Sequence, residues 1–400
     1  MKPVTVSAAQ SLPADAGRAT LVGRVWLPAD ERGAIAGPRV VALRDGRLVD
    51  LGRHAPTMSL LLADPRAVAI AREAPGDELG AFDEVLALTC THGPDPAYRH
   101  LLSPNDLQPV KAAGVTFADS MVERVIEERT RGDASGAAAI RRLVLDAVGD
   151  DLARLVPGSP QAMKVKAVLI EKKLWSQYLE VGIGPDAEIF TKASPLASVG
   201  TGVPVGLHPG SSWNNPEPEI VLAISPQAVV VGAALGNDVN LRDFEGRSAL
   251  LLGKAKDNNG SCAIGPFIRL FDAHYGIDDV RAAEIDLRVD GEDGFVMNGL
   301  SSMKRISRDP LDLVAHAMGA HHQYPDGAML FCGTLFAPIQ DRDAPGAGFT
   351  HHVDDTVTIS SDRLGALVNR VGLSTQIRAW TFGITDLMRS LAARGLLTPR

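Results

Sequence analysis

Residues 220–235 are the most apolar stretch of this 400-residue chain, and Ser225-Pro226-Gln227 breaks it in two. The flanking runs, Ile220-Val221-Leu222-Ala223-Ile224 and Ala228-Val229-Val230-Val231, are short and joined by a turn. That pattern predicts an antiparallel hairpin. The same interruption leaves neither run long enough to span a bilayer. Between residues 188 and 349 the chain reads as short strands with Gly and Pro punctuation, and further strands are expected at 283–289, 294–297, 328–331 and 356–359. Upstream, residues 119–182 show helical spacing instead. Ser120-Met121-Val122-Glu123 resembles a capping box, and 137–148 and 162–178 are amphipathic. Helices are also expected at 361–371 and 385–393, the latter closed by Gly395.

Residues 1–108 read as a small α+β domain. Val40-Val41-Ala42-Leu43, the Asp45-Gly46 turn and Leu48-Val49-Asp50-Leu51 predict a hairpin, and Phe82-Asp83-Glu84-Val85-Leu86 belongs to a helix. No chemical constellation is visible there. The net charge of −8 disfavours nucleic acid or an anionic membrane as general partners. It also means that an anionic substrate must meet a local positive site. Cys90, Cys262 and Cys332 are odd in number and far apart, so neither a disulfide framework nor a cysteine zinc site follows. With no apolar leader segment at Met1-Lys2-Pro3-Val4-Thr5, the expectation is a cytoplasmic protein.

Chemistry concentrates at Trp213-Asn214-Asn215-Pro216-Glu217-Pro218-Glu219. Residues two apart on a strand share a face, so Glu217 and Glu219 present paired carboxylates. Alone, such a pair reads more simply as a solvated strand end. The hairpin changes the balance, because it returns the chain toward Glu217 and lets Asp238 join both glutamates. Three carboxylates repel one another, and a divalent cation removes that cost. Oxygen ligands suit Mg²⁺, with Mn²⁺ or Ca²⁺ as alternatives.

Five motifs in order then resemble a known family: Glu217-Pro218-Glu219, Asn237-Asp238 with Arg242-Asp243, Gly253-Lys254-Ala255-Lys256, Ile264-Gly265-Pro266 and Gly333-Thr334. Together they resemble the fumarylacetoacetate hydrolase superfamily, from about Lys111 onward. Trp213-Asn214, Ser261-Cys262 and Phe349-Thr350-His351 look most like its branch of 2-keto-3-deoxy-pentonate (xylonate or arabinonate) dehydratases. The resemblance implies an α+β fold, in which a mixed β-roll catalytic domain over 109–400, with a helical insertion at about 120–182, follows the N-terminal domain. It implies a homodimer or dimer of dimers and a small 2-keto acid substrate.

Residue by residue, the resemblance implies metal ligation by Glu217, Glu219 and Asp238, and substrate contacts from Thr334 and Lys192. Lys256 is the expected base, with Lys254 second. Hydrolytic members carry a histidine near 114–128, whereas this chain has none there and Glu123 falls near its position. Glu123 is therefore a candidate acid or base, although helix capping explains it equally well. The implied reaction is dehydration to 2-oxoglutarate semialdehyde, by enolisation and loss of the C4 hydroxyl. The alternative is hydrolytic C–C cleavage of a 2,4-diketo acid.

Overall fold

The computed structural model describes residues 4–29, 35–117, 121, 124–125, 128–129, 155–171, 175–336, 338, 340–346 and 348–397. The first hundred or so residues supply β1 (Leu21–Leu27), β2 (Gly37–Arg44), β3 (Arg47–Asp50), β4 (Glu78–Ala81) and β5 (His100–Leu102). Then follow β6 (Val110–Gly114), β7 (Glu188–Ala193), β8 (Val205–Leu207), β9 (Asn214–Asn215), β10 (Pro218–Ile224), β11 (Val230–Asp238) and β12 (Asn240–Leu241). The last strands are β13 (Cys262–Leu270), β14 (Glu284–Asp290), β15 (Val296–Ser302), β16 (Ala328–Phe331), β17 (Thr356–Ser361) and β18 (Gly365–Leu373). The helices used below are α1 (Phe82–His92), α2 (Pro160–Glu171), α3 (Gln177–Ile183), α4 (Arg242–Glu245), α5 (Leu252–Lys256) and α6 (Ile384–Ala393). No helix among the described residues is long and apolar enough to cross a membrane.

The strands make two large open sheets and one small ladder. The larger sheet runs β4-β3-β2-β1-β13-β11-β10-β16-β6-β7, with β5 also on β1. The smaller runs β15-β14-β17-β18-β8, and β9 pairs with β12 alone. The hairpin β10–β11 lies inside the larger sheet and is buried on both faces. Ile220, Leu222 and Ile224 pack with Ile285, Leu287, Val357 and Ile359 of the smaller sheet. The alternate residues Val221 and Ala223 pack with Val22, Met58, Leu61 and Phe331 on the other side. Strand alternation thus feeds two cores from one strand. Each fully buried aliphatic chain contributes about 1.5–3 kcal/mol. Polar groups on this hairpin are confined to its open end, where Glu217, Glu219 and Asp238 sit.

The N-terminal strands are not a separate sheet. Leu21 and Val22 of β1 pair with Arg269 and Ile268 of β13, and β13 pairs with β11. The expected boundary at residue 108 falls between β5 and β6, two strands of this one sheet.

The expected hairpins at 40–51 and 220–231 form, and Asp45 and Gly46 take the positive φ that a tight hairpin turn needs. The expected helix at 361–371 does not form, because this segment enters β18. Leu364, Leu367, Val368 and Val371 imitate helical spacing, but pairing to β17 and β8 on either side decides for a strand. The single helix expected at 162–178 is two, α2 and α3, and Ser176 caps the second by accepting from the Tyr178 N–H. The capping-box residues Ser120 and Glu123 and the helix expected at 137–148 lie outside the described residues.

A buried carboxylate fixes the loop that precedes β17. Asp355 accepts from Arg342 at 2.7 and 2.8 Å, from His351 Nδ1 at 3.0 Å and from the His352 N–H at 3.0 Å. Burial alone would raise its pKa, but the bonds from Arg342 and His351 outweigh it and hold the group at about 2, below the ordinary 3.8. A depressed pKa stabilises the fold above the unfolded value, and the contribution is lost as pH falls through the folded one. Denaturant unfolding between about pH 5 and about pH 2 should therefore show a loss of about 2 kcal/mol from this group. Asp355→Asn should lack that component of the acid sensitivity.

Candidate metal centre and active site

The geometry of β10 and β11 brings three acids together. Pro218 pairs with Asn237, Glu219 with Gly236, and the Asp238 N–H donates to the Glu217 carbonyl at 3.0 Å. Asp238 therefore lies across from Glu217, one step from Glu219. One carboxylate oxygen from each of Glu217, Glu219 and Asp238 lies within 4.8 Å of the others, and all three residues are buried. Among the described residues this is the one cluster of acids, histidines or cysteines arranged to hold a metal ion.

Cations hold this charge in place. Lys256 Nζ lies 2.5 Å from Glu217 Oε2 and 3.2 Å from Asp238 Oδ2. Lys254 is exposed beside the Phe244 ring, since residues two apart on a helix point about 200° apart. Arg124 bridges Glu217 Oε1 at 2.6 Å and Glu245 Oε2 of α4 at 2.8 Å. Lys192 Nζ reaches Asp238 Oδ1 at 2.7 Å from β7. The Gly333 N–H donates to Glu219 Oε2 at 2.6 Å. Gly333 has φ +87°, and a Cβ there would come within 2.0 Å of Thr116 Oγ1, so only glycine presents that N–H.

A cavity of about 20 Å³, room for about one water-sized particle, is enclosed by Glu188, Glu217, Glu219, Asp238, Glu245, Arg124, Lys256 and Thr334, among others. A far larger cavity of about 670 Å³, lined by Trp26, His100 and Trp380, contains none of the three acids. The small one is the candidate site, because the three acids converge there.

Five carboxyl groups line the small cavity, facing Arg124, Lys256 and the adjoining Lys192. Burial pushes the Glu219 carboxyl well above its ordinary range, and the neighbouring Asp238 and Glu217 add to the shift. Burial likewise raises Glu188. For Asp238, burial opposes ionisation, but Lys192 and Lys256 prevail and its pKa falls. Burial would lower Lys256, but Asp238 and Glu217 beside it prevail and raise it. Three converging carboxyl groups with hard oxygen donors fit one divalent cation of the Mg²⁺ class.

The structure brings Glu217, Glu219, Asp238, Lys256 and Thr334 to one cavity. Lys192 adjoins it from beneath Asp238 and is not part of its lining. Glu123 lies outside the described residues. Sequence reasoning did not single out Glu188, Arg124 or Glu245. A signal for Glu188 existed: it lies four residues before Lys192, so on a strand Glu188, Phe190 and Lys192 share a face. Its β6 partner is Gly114, where a Cβ would come 2.0 Å from Glu188 Oε2.

Residues 185–372, which carry all three acids and Lys256, match the family described as fumarylacetoacetate (FAA) hydrolase C-terminal. The chain is also 27% identical over 201 residues to a probable 2-keto-3-deoxyxylonate dehydratase of Haloferax volcanii. It is 28% identical over 184 residues to a 2-dehydro-3-deoxy-D-arabinonate dehydratase of Saccharolobus solfataricus. These matches cover 50% and 46% of this chain, and 65% and 58% of the relatives' lengths. The fold is that of 2-keto-3-deoxy-D-arabinonate dehydratase, solved as the apo form and complexed with magnesium and 2,5-dioxopentanoate. Each superposes with a TM-score of 0.60 at 20% identity, covering 88% of this chain and 99% of that one.

Glu219→Gln tests the site directly. Gln matches a protonated carboxyl in shape and still accepts from Gly333. Stability in chelator should stay within about 1 kcal/mol of wild type by denaturant unfolding. Mg²⁺ affinity by calorimetry should fall roughly 100-fold or more.

Proposed function

We propose that the protein is a metal-dependent dehydratase that converts a 2-keto-3-deoxy-pentonate to 2-oxoglutarate semialdehyde (2,5-dioxopentanoate) without loss of carbon. The observation that carries this reading is the placement of Lys256 and Glu188 in the same cavity as the three acids. A divalent ion held by Glu217, Glu219 and Asp238, Mg²⁺ by preference, would supply Lewis-acid polarisation of the 2-keto group, which acidifies the C3–H bonds. The relatives named as pentonate dehydratases support the substrate class.

The chain's own residues fit the remaining tasks. Lys256 is the base for a C3 proton. It is an ammonium while Glu217 and Asp238 face it alone. Once those carboxylates are engaged by a cation, burial and the nearby Arg124 favour the neutral amine, with Glu245 left to oppose them. Glu188, whose carboxyl burial pushes upward, donates its proton to the departing C4 hydroxyl, which leaves as water. The resulting C3=C4 enone loses a proton from C5 and regains one at C3, which gives the C4=C5 enol, and this enol tautomerises to the aldehyde. Arg124 and Thr334 bind the substrate carboxylate, Arg124 by exchanging its carboxylate partners for the substrate's. The segment from Gly114 to Arg131 contains no histidine, which favours dehydration over C–C hydrolysis on this scaffold. In this reading residues 109–400 form the catalytic unit, residues 1–108 support it, and the protein acts as a cytoplasmic homodimer.

Incubating the protein and Mg²⁺ with D- and L-2-keto-3-deoxypentonates should yield 2,5-dioxopentanoate. Release of two acids from a 2,4-diketo acid, with no turnover of the pentonates, would replace this reading by hydrolysis. Glu188→Gln should lower kcat by roughly 10²–10⁴ while leaving Mg²⁺ affinity within about threefold.

A further inference from the structure

Lys192 has no exposed surface, and its ammonium is engaged on every side. Nζ lies 2.7 Å from Asp238 Oδ1, and it donates to the Val239 carbonyl at 3.0 Å and to the Lys256 carbonyl at 2.6 Å. A lysine ammonium has three protons, so these three partners account for all of them. None remains for a substrate.

The three partners belong to two elements that both matter to the site. Asp238 ends β11 and Val239 follows it, while the Lys256 carbonyl ends α5. Ser261 completes the circuit: its hydroxyl donates to the Lys256 carbonyl at 2.8 Å, and its own carbonyl accepts the Val239 N–H at 3.2 Å. Lys192 is the one side chain here that binds Asp238 and the Lys256 backbone together. It also divides the two oxygens of Asp238. Oδ1 is held by Lys192, which leaves Oδ2 facing Lys256 and, beyond it, Glu217.

From this geometry we propose that Lys192 is a positioning residue: by holding Asp238 Oδ1 and the end of α5 at one point, it sets which Asp238 oxygen is offered to the metal and how far Lys256 stands from that metal. The inference rests on the reading of Glu217, Glu219 and Asp238 as a metal site. It replaces the substrate contact expected for Lys192 from resemblance. A compact ammonium is required. Arginine is longer and planar, and it cannot direct three protons to three converging acceptors in a fully buried pocket.

The test uses the full-length protein, with Mn²⁺ as the probe ion. Lys192→Met and Lys192→Arg are compared with wild type for thermal midpoint in chelator, for Mn²⁺ affinity by calorimetry, for the line shape of bound Mn²⁺ by electron paramagnetic resonance, and for kcat and KM at saturating Mn²⁺. In both variants the folded protein should bind Mn²⁺ about 10–100-fold more weakly, with an altered line shape. At saturating metal, kcat should fall at least about tenfold while KM stays within about threefold. If Lys192→Met does not fold, because it strands the Asp238 charge, Lys192→Arg decides alone. A Lys192→Arg protein with wild-type Mn²⁺ affinity, line shape and kcat overturns the proposal. So does a variant whose only change is a lower thermal midpoint. A rise in KM with kcat unchanged would restore the substrate-contact role and overturn positioning. A wild-type protein that takes up no Mn²⁺ sinks the metal reading itself, a result separable from any of these.

Discussion

Three carboxylates at the end of a strand pair that is otherwise buried in hydrocarbon set the terms for everything around them. Water cannot reach them to dissipate their repulsion, so the protein must supply countercharge. It does so with Lys192 from below, Lys256 from the side and Arg124 from above, each reaching the acids from a different segment. The convergence of three hard oxygen donors is what suits the site to a cation. In the proposed reaction, a cation that competes for Glu217 and Asp238 would also release Lys256 from them, so that metal capture and base activation would be coupled.

The fold exists to keep that strand end rigid. β10 is packed on both faces and flanked by β11 and β16, so neither Glu217 nor Glu219 can retreat without tearing two cores. Close approach is achieved with glycine. Gly333 brings a backbone N–H against Glu219, and Gly114 makes room for the Glu188 carboxyl. At Gly333 a methyl group would collide with Thr116, and at Gly114 it would occupy the space of the Glu188 carboxyl.

Much of the site was legible in the sequence because its key contacts are local. The spacing of Glu217 and Glu219 and the turn at Ser225-Pro226-Gln227 are enough to bring Asp238 to them. The resemblance across five motifs then singles out Lys256 and Thr334. Arg124 was not legible, because it reaches the cavity from a segment distant in sequence, and Glu245 was not, because no pattern in its short helix records the encounter; Glu188 left only the weak signal of a strand face shared with Lys192. Lys192 was noticed for the right segment and given a different task, since its burial depends on strands far along the chain. The 361–371 segment shows the same limit for secondary structure. Its apolar spacing satisfies a helix, and only pairing with β17 and β8 makes it a strand.

The run of the larger sheet has a consequence for how the chain is made. β1 finds its neighbour in β13, with Leu21 opposite Arg269. During synthesis the first hundred residues therefore emerge with an open strand edge long before the partner that seals it has left the ribosome. Loop closure over such a span is slow, and an unsealed edge invites pairing with other chains.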